Sequence, residues 1–341
     1  MALNSLDSSR NPALSELLDA ARVVAIPTRT RFRGIGVREA VIFEGPKGAS
    51  EFSPFVEYAD QEAGRWLTAA IEFGWGEVPA PLRERIDVNA TVPAVSAEEV
   101  PGVLARFPGC RTAKVKVAER GQSLADDIAR VAAVRLALGD TANVRVDANG
   151  GWSVAEAFDA LTQLAPFDLD YAEQPCATVA ELAELRALLA RSGPVVRIAA
   201  DESVRKAEDP LAVARAGAAD LIVVKAQPLG GIAPALRIIA EAQLPVIVSS
   251  ALDTSVGISM GLHLAAALPE GTLAGACGLG TVALLAGDVA AEPLIPADGA
   301  LPVRRAALDA AALAEFRAAP QRERWWRERI ERCYGALPHP A

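Results

Sequence analysis

Short apolar runs recur through most of the chain, each closed by a polar residue and separated by Ala/Leu/Glu/Arg-rich stretches of helical periodicity. The runs lie near Asp87–Val92, Ala113–Val117, Val144–Asp147, Leu169–Glu173, Val195–Ala200, Leu221–Lys225, Val246–Ser249 and Leu273–Ala276. Stretches such as Ser123–Leu138 and Ala177–Arg191 supply the helices between them. Runs such as LIVV and PVIV, apolar at consecutive positions, suit parallel strands buried on both faces. From Lys116 to Asp147, Glu173, Asp201 and Lys225 the polar strand ends step by 31, 26, 28 and 24 residues, one strand plus one helix each time. The pattern predicts an α/β fold, a (β/α) barrel over residues 87–292 with its polar strand ends on one rim.

The flanks have a different texture. Ser5–Arg10 is polar, Ala13–Ala21 has helical spacing, and strands are expected at Val23–Arg29 and Gly36–Phe43, followed by a turn at Gly45–Gly48. Glu51–Tyr58 reads as an aromatic loop and Asp60–Glu72 as an amphipathic helix. Strands followed by a helix, with no βα repeat, predict a small α+β domain over residues 1–86. Residues 293–341 leave the βα rhythm; helices are expected at Ala306–Ala318 and Gln321–Tyr334, packing back on that first domain. Arg31–Gly36, cationic and glycine-bearing, is either a hairpin connection or a lid that brings an arginine to an anionic substrate.

Composition narrows the function classes. Of 341 residues, 51% are hydrophobic, which easily builds a large core, and the net charge of −9 with no basic run argues against nucleic acid and anionic membrane surfaces. The four cysteines, Cys110, Cys176, Cys277 and Cys333, form no C-x-x-C pair and are expected to be buried free thiols. Val256–Leu268, the longest mainly apolar stretch, is too short to span a bilayer, and no signal peptide opens the sequence. A cytoplasmic protein acting on a small molecule is the expectation, its oligomeric state left open with a monomer admissible.

The chemistry lies in the strand ends. Asp147, Glu173 and Asp201 close three successive strands and should converge at the barrel mouth. Three hard oxygen ligands suit octahedral Mg²⁺, whereas softer metals want His or Cys. Structural ion pairs with nearby lysines are the competing reading of these acids. Lys114 and Lys116, two apart on a strand, share one face. Two ammonium groups held together beside a dication should depress a lysine pKa towards neutrality and free an amine to act as a general base. Lys225 lies roughly across the barrel. A carboxylate-bearing carbon acid between Lys116 and Lys225 would lose its α-proton to give an enediolate. Gly230-Gly231 reads as a turn rather than a phosphate cradle, since no G-x-x-x-x-G-K-[ST] pattern surrounds it.

KVK, DANGGW, EQP, DES and the later lysine, in this order and spacing, resemble the enolase superfamily, in particular its muconate-cycloisomerase-like branch. The resemblance implies a modified TIM barrel capped by an α+β domain built from both termini. It implies Asp147, Glu173 and Asp201 as Mg²⁺ ligands and Lys116 and Lys225 as the acid/base pair. His263, in an apolar helical run, is expected to be a packed residue, and His339 lies in the tail, so a catalytic His–Asp dyad is not expected. RFRGIGVREAVIFEG, EFSPFVEY and SSALDTS after the seventh strand are similar to o-succinylbenzoate synthases of menaquinone biosynthesis. That likeness implies dehydration of 2-succinyl-6-hydroxy-2,4-cyclohexadiene-1-carboxylate, with Lys114, Asn149, Ser249 and Ser250 as candidate contacts to the substrate. N-succinylamino acid racemases, dipeptide epimerases and cycloisomerases share the constellation. The Asp-x-Asp typical of such epimerases after the last strand is replaced here by Gly275-Ala-Cys-Gly278-Leu-Gly280. A non-catalytic scaffold is the remaining alternative, and the presence of all five charged groups argues against it.

Overall fold

The computed structural model describes residues 11–32, 34–205 and 209–337. Ser5–Arg10, Arg33 and His339 lie outside the described residues. Helix α1 (Leu14–Ala20) leads into an antiparallel sheet of β1 (Ala21–Phe32), β2 (Ile35–Gly45) and β3 (Gly48–Phe52), then helix α2 (Asp60–Trp75). Period-two alternation buries both faces of this sheet. Val23, Val41 and Phe43 pack with Trp66, Trp326 and Ile330, while Val24, Ile26, Ala40 and Ile42 join the larger core of the barrel. The expected loop from Glu51 begins two residues later: Glu51 and Phe52 belong to β3, paired with Ile42 and Val41. Neighbouring glycine, proline and aromatic residues masked this short strand.

The second sheet runs β11-β10-β9-β8-β7-β6-β5, all parallel. Its strands are β5 (Ala90–Val92), β6 (Thr112–Lys116), β7 (Asn143–Asp147), β8 (Leu169–Glu173), β9 (Arg197–Ala200), β10 (Leu221–Val224) and β11 (Val246–Val248). The first expected run is split, because Arg85–Asp87 forms a separate strand, β4, antiparallel to β12 (Ala300–Pro302). The eighth expected strand, Leu273–Ala276, is present only as isolated parallel bridges, Val246↔Leu273, Ser249↔Gly278 and Val88↔Cys277. They close the sheet into a barrel. Within this segment the buried guanidinium of Arg145 donates to the Ala276 carbonyl at 2.6 Å, a group that a regular strand would give to a neighbour.

Crossovers are made by α3 (Val100–Leu104), α4 (Leu124–Leu138), α5 (Val154–Leu164), α6 (Val179–Ser192), the short α7 (Glu202–Arg205) and α8 (Ala212–Arg215), α9 (Ile232–Ala242) and α10 (Ser255–Ala267). Three of them begin with a reciprocal capping box: Ser123/Asp126, Ser153/Glu156 and Thr178/Glu181. In the C-terminal segment α11 (Ala310–Glu315) is shorter than expected, and α12 (Pro320–Gly335) returns to the N-terminal sheet. There Glu39 accepts from Arg322 and from the Trp326 indole. The four cysteines are free and buried.

Two carboxylates of the N-terminal unit dock it onto the barrel. Glu51 accepts from the backbone N–H groups of Thr254 (3.1 Å) and Gly257 (3.0 Å) at the start of α10. Glu72 accepts from Ile232 (2.5 Å) and Ala233 (2.9 Å) at the start of α9. Each anion meets the unsatisfied N–H groups and the positive dipole end of a helix. Gly231 makes room for this, since a Cβ there would lie 2.0 Å from Glu72 Oε2. The Gly230-Gly231 turn thus receives a protein carboxylate.

Candidate active site

Inside the barrel, alternate residues of each strand face the axis. Tyr171, Ala199, Leu221, Val223 and Ile247 form an apolar plug of their own. Two residues further along the same strands stand Glu173, Asp201, Lys225 and Ser249. Lys114, Lys116 and Asp147 come from β6 and β7 at the same rim. A recess with about 500 Å³ of atom-free space opens there, lined by Lys114, Lys116, Asp147, Asn149, Asp201, Lys225, Ser249 and Ser250, with Phe32 and Trp66 reaching in from the cap. Glu173 lies beneath Lys114, which donates to its two oxygens at 2.7 and 2.9 Å.

The acids and lysines interlock. Lys114 Nζ also lies 3.1 Å from Asp147 Oδ2, and Lys116 Nζ donates to the same oxygen at 2.5 Å. Lys225 Nζ donates to Asp201 Oδ1 at 2.5 Å, and Arg205 Nε approaches it at 3.2 Å. The cationic neighbours hold Asp147 and Asp201 well below the usual carboxylate range in spite of burial. Glu173 goes the other way, pushed up to about 7 by burial and by Asp147. Burial disfavours the charged form of Lys114, but Glu173 and Asp147 outweigh it and hold its pKa well above the ordinary lysine value. The expected depression from a neighbouring ammonium is therefore absent at Lys114, because two carboxylates are closer partners than the adjacent lysine. Lys225 does shift downward, through burial, with Asp201 opposing.

Residues outside the sequence-derived set complete the arrangement. Gln174 of the EQP motif is fully buried with a left-handed backbone (φ 39°), and its Oε1 accepts from the backbone N–H groups of Asp201 and Ser203 at 3.0 and 3.2 Å. It braces the end of β9 against that of β8. Arg130 donates to the Lys116 carbonyl at 2.8 Å and pairs with Asp127, whose carboxylate accepts from Ala118 N–H at 2.9 Å. These contacts pin the backbone beyond Lys116. Glu202 was visible only as the middle residue of DES, and Arg205 lies two residues beyond that motif; their i,i+3 spacing on one short helix turn is the signal that could have found them. Ser250 Oγ donates to the Gly278 carbonyl at 2.7 Å and lies 2.9 Å from Thr281 Oγ1. From the expected lid, Phe32 rather than a described arginine faces the site, its ring centroid 5.5 Å from Lys116 Nζ. His263 is packed, as expected: its Nδ1 lies 2.8 Å from the Ser259 carbonyl, and burial lowers its pKa.

Residues 98–307 match the family model for the enolase C-terminal domain-like fold, and residues 23–74 match its enolase N-terminal domain-like counterpart. The chain belongs to the enolase superfamily. Superfamily relatives named o-succinylbenzoate synthase are 57% identical in Mycolicibacterium smegmatis, over 96% of this chain and 98% of the relative, and 57% identical in Mycobacterium leprae, over 96% and 95%. Among solved superfamily structures, muconate lactonizing enzyme from Pseudomonas fluorescens aligns with a TM-score of 0.73 at 22% identity, over 87% of this chain and 98% of that one. The L-Ala-D/L-Glu epimerase of Bacillus subtilis aligns at 0.70 and 22%, over 84% and 96%. The fold is accordingly a modified TIM barrel with an N-terminal capping unit.

The site suits a hard divalent cation by its donor set. Asp147, Glu173 and Asp201 offer only carboxylate oxygens, all buried, and Glu202 Oε2 nearby is buried without a hydrogen-bond partner. Among the described residues no three acidic, His or Cys side chains already stand as a ligating cluster; each of the three acids is paired with a lysine. No helix of the described residues is long and apolar enough to cross a membrane.

Proposed function

We propose that the chain is an o-succinylbenzoate synthase, a hydro-lyase that dehydrates 2-succinyl-6-hydroxy-2,4-cyclohexadiene-1-carboxylate. The observation that carries this reading is the 57% identity, along nearly the full length of both chains, to relatives of that name. The barrel mouth supports it with lysines at the ends of β6 and β10 and three acids at the ends of β7, β8 and β9 between them. Lys116, as the neutral amine, takes the proton from the carbon next to the ring carboxylate. The C–H electron pair moves into an enediolate, and the Lys225 ammonium supplies positive charge to it. Lys116, now charged, returns its proton to the departing hydroxyl on the same face; the C–O bond breaks, water leaves and the ring becomes aromatic. Asp147, Glu173 and Asp201 would hold Mg²⁺, the usual partner of a lysine base in enolase-superfamily sites, which when bound supplies charge for the substrate carboxylate. Lys114, Ser249 and Ser250 line the recess as contacts for the substrate's polar groups, and Asn149 is engaged at both ends of its amide.

The Gly275–Gly280 segment supports the same reading against a dipeptide substrate. A Cβ at Gly278 would stand 2.5 Å from Ser249 Oγ, so any side chain there would force the Ser249 hydroxyl to turn away. The decisive assay measures o-succinylbenzoate formation with Mg²⁺, with a chelator, and with Lys116→Ala. Conversion is expected to disappear with the chelator, and to fall by about 10²–10⁴ in the variant, the usual contribution of a general base. A folded, Mg²⁺-supplied protein that forms no product overturns the assignment, and N-succinylamino acids become the next substrates.

A further inference from the structure

We propose that Asn149 and Glu202, backed by Arg205, are positioning residues that aim the Lys116 amine at the substrate through a hydrogen-bonded chain from the cap to the barrel mouth. This inference rests on the reading of Lys116 as the base. The chain is continuous. Arg205 Nη1 donates to the Tyr58 hydroxyl at 3.1 Å, and its Nη2 donates to Glu202 Oε1 at 2.6 Å. Asn149 Nδ2 donates to the same oxygen at 3.1 Å, and Lys116 Nζ donates to Asn149 Oδ1 at 2.8 Å. Tyr58 belongs to the cap, Arg205 and Glu202 follow β9, and Asn149 follows β7, so four separate segments meet in one line.

Each link fixes the next. A carboxylate only accepts, so Glu202 takes the NH₂ side of the Asn149 amide and leaves its carbonyl oxygen turned to Lys116. The Asn149 backbone is left-handed (φ 48°), a conformation that Asn adopts more readily than most residues, and its own N–H donates to Asp147 Oδ1 at 3.1 Å. The other acceptor of Lys116, Asp147 Oδ2, is shared with Lys114 and is also a ligand in the proposed reaction. Asn149 Oδ1 has neither competing duty. A neutral lysine amine carries two N–H groups and one lone pair; fixing one N–H on Asn149 restricts where the lone pair points. Proton abstraction depends on that direction, because misplacing a reacting group by about 1 Å costs on the order of 10²-fold in rate.

The test compares Asn149→Ala, Glu202→Gln and the double variant in the full, Mg²⁺-supplied chain. For Asn149→Ala, kcat is expected to fall about 10–100-fold with KM within about threefold of wild type. Glu202→Gln is expected to lose about tenfold, and the double variant no more than Asn149→Ala alone, since both changes cut one chain. A crystal structure of Asn149→Ala should show Lys116 Nζ displaced. If that variant does not fold, the isosteric Glu202→Gln carries the test, with the Lys116–Asn149 contact opened beyond hydrogen-bond reach. Losses below threefold, multiplicative losses in the double variant, or an unmoved Lys116 overturn the proposal. The crystallographic arm needs no turnover, so failure of the assigned reaction and failure of the positioning role are read separately.

Discussion

Glu72 and Glu173 are both acids whose pKa burial pushes above the usual glutamate range, but they face different partners. Glu72, like Glu51, is satisfied by backbone N–H groups at the start of a barrel helix. Such donors are part of the helix and cannot leave. Glu173, like Asp147 and Asp201, is satisfied by ammonium groups at the ends of flexible four-carbon stems. On the proposed reading a metal would take the place of those contacts at the acids. The first arrangement joins two parts of the molecule; the second, on that reading, serves the chemistry. Burial alone does not separate the two roles. The kind of partner does.

Substitution should separate them in opposite directions. The largest effect is expected for Glu173→Gln, with o-succinylbenzoate formation reduced more than about 10³-fold through the lost carboxylate charge. With its pKa pushed up to about 7, Glu173 is only part-ionised at neutral pH, so a neutral side chain of the same shape should cost the fold little, and the melting temperature should stay within about 3 °C of wild type by calorimetry. A large thermal loss would show that the mouth is as structural as the docking seam. Next comes Glu72→Ala, which strands the Ile232 and Ala233 N–H groups. Urea titration should show a loss of about 1–3 kcal/mol, with kcat of the folded protein within about threefold of wild type. The smallest effect concerns pH. Glu51 rises from an ordinary value of 4.5 to about 7, chiefly by burial and then by Asp253. Between those values the folded state holds a proton that the unfolded state has released, so this group adds stability as pH falls through about 7 and the gain is complete near 4.5. Glu51→Gln should flatten that slope, a difference of about 1–3 kcal/mol between denaturation measured at pH 5 and at pH 8.

The spacing of strand-end residues was enough to place Lys116, Asp147, Glu173, Asp201 and Lys225 on one rim, because strand-plus-helix length and the alternation of strand side chains are local properties. The packed role of His263 was legible for the same reason. What stayed hidden depends on contacts between segments remote in sequence. Arg145 donates to the eighth strand from 131 positions away, and Glu72 reaches α9 across 160. No periodicity registers either one. The raised pKa of Lys114 was also out of reach, since it depends on which neighbour is closest and not on which neighbours exist. Gln174 was visible as part of a motif, but its bracing of Asp201 needed the left-handed turn that only coordinates reveal.

The pairing of Glu39 with Arg322 has a consequence for how the chain is made. The two residues are 283 positions apart, so on a ribosome adding about 5–20 residues per second the first half of that contact waits roughly 15–60 s for the second. During that interval the barrel strands have all emerged, while the face of the N-terminal sheet that will receive Trp326 and Ile330 is covered only by α1 and α2. The roof over the catalytic mouth is thus the last part of the molecule to be completed. A nascent chain arrested before α12 would leave exposed the apolar patch that Trp326 and Ile330 cover, the kind of surface that chaperones bind.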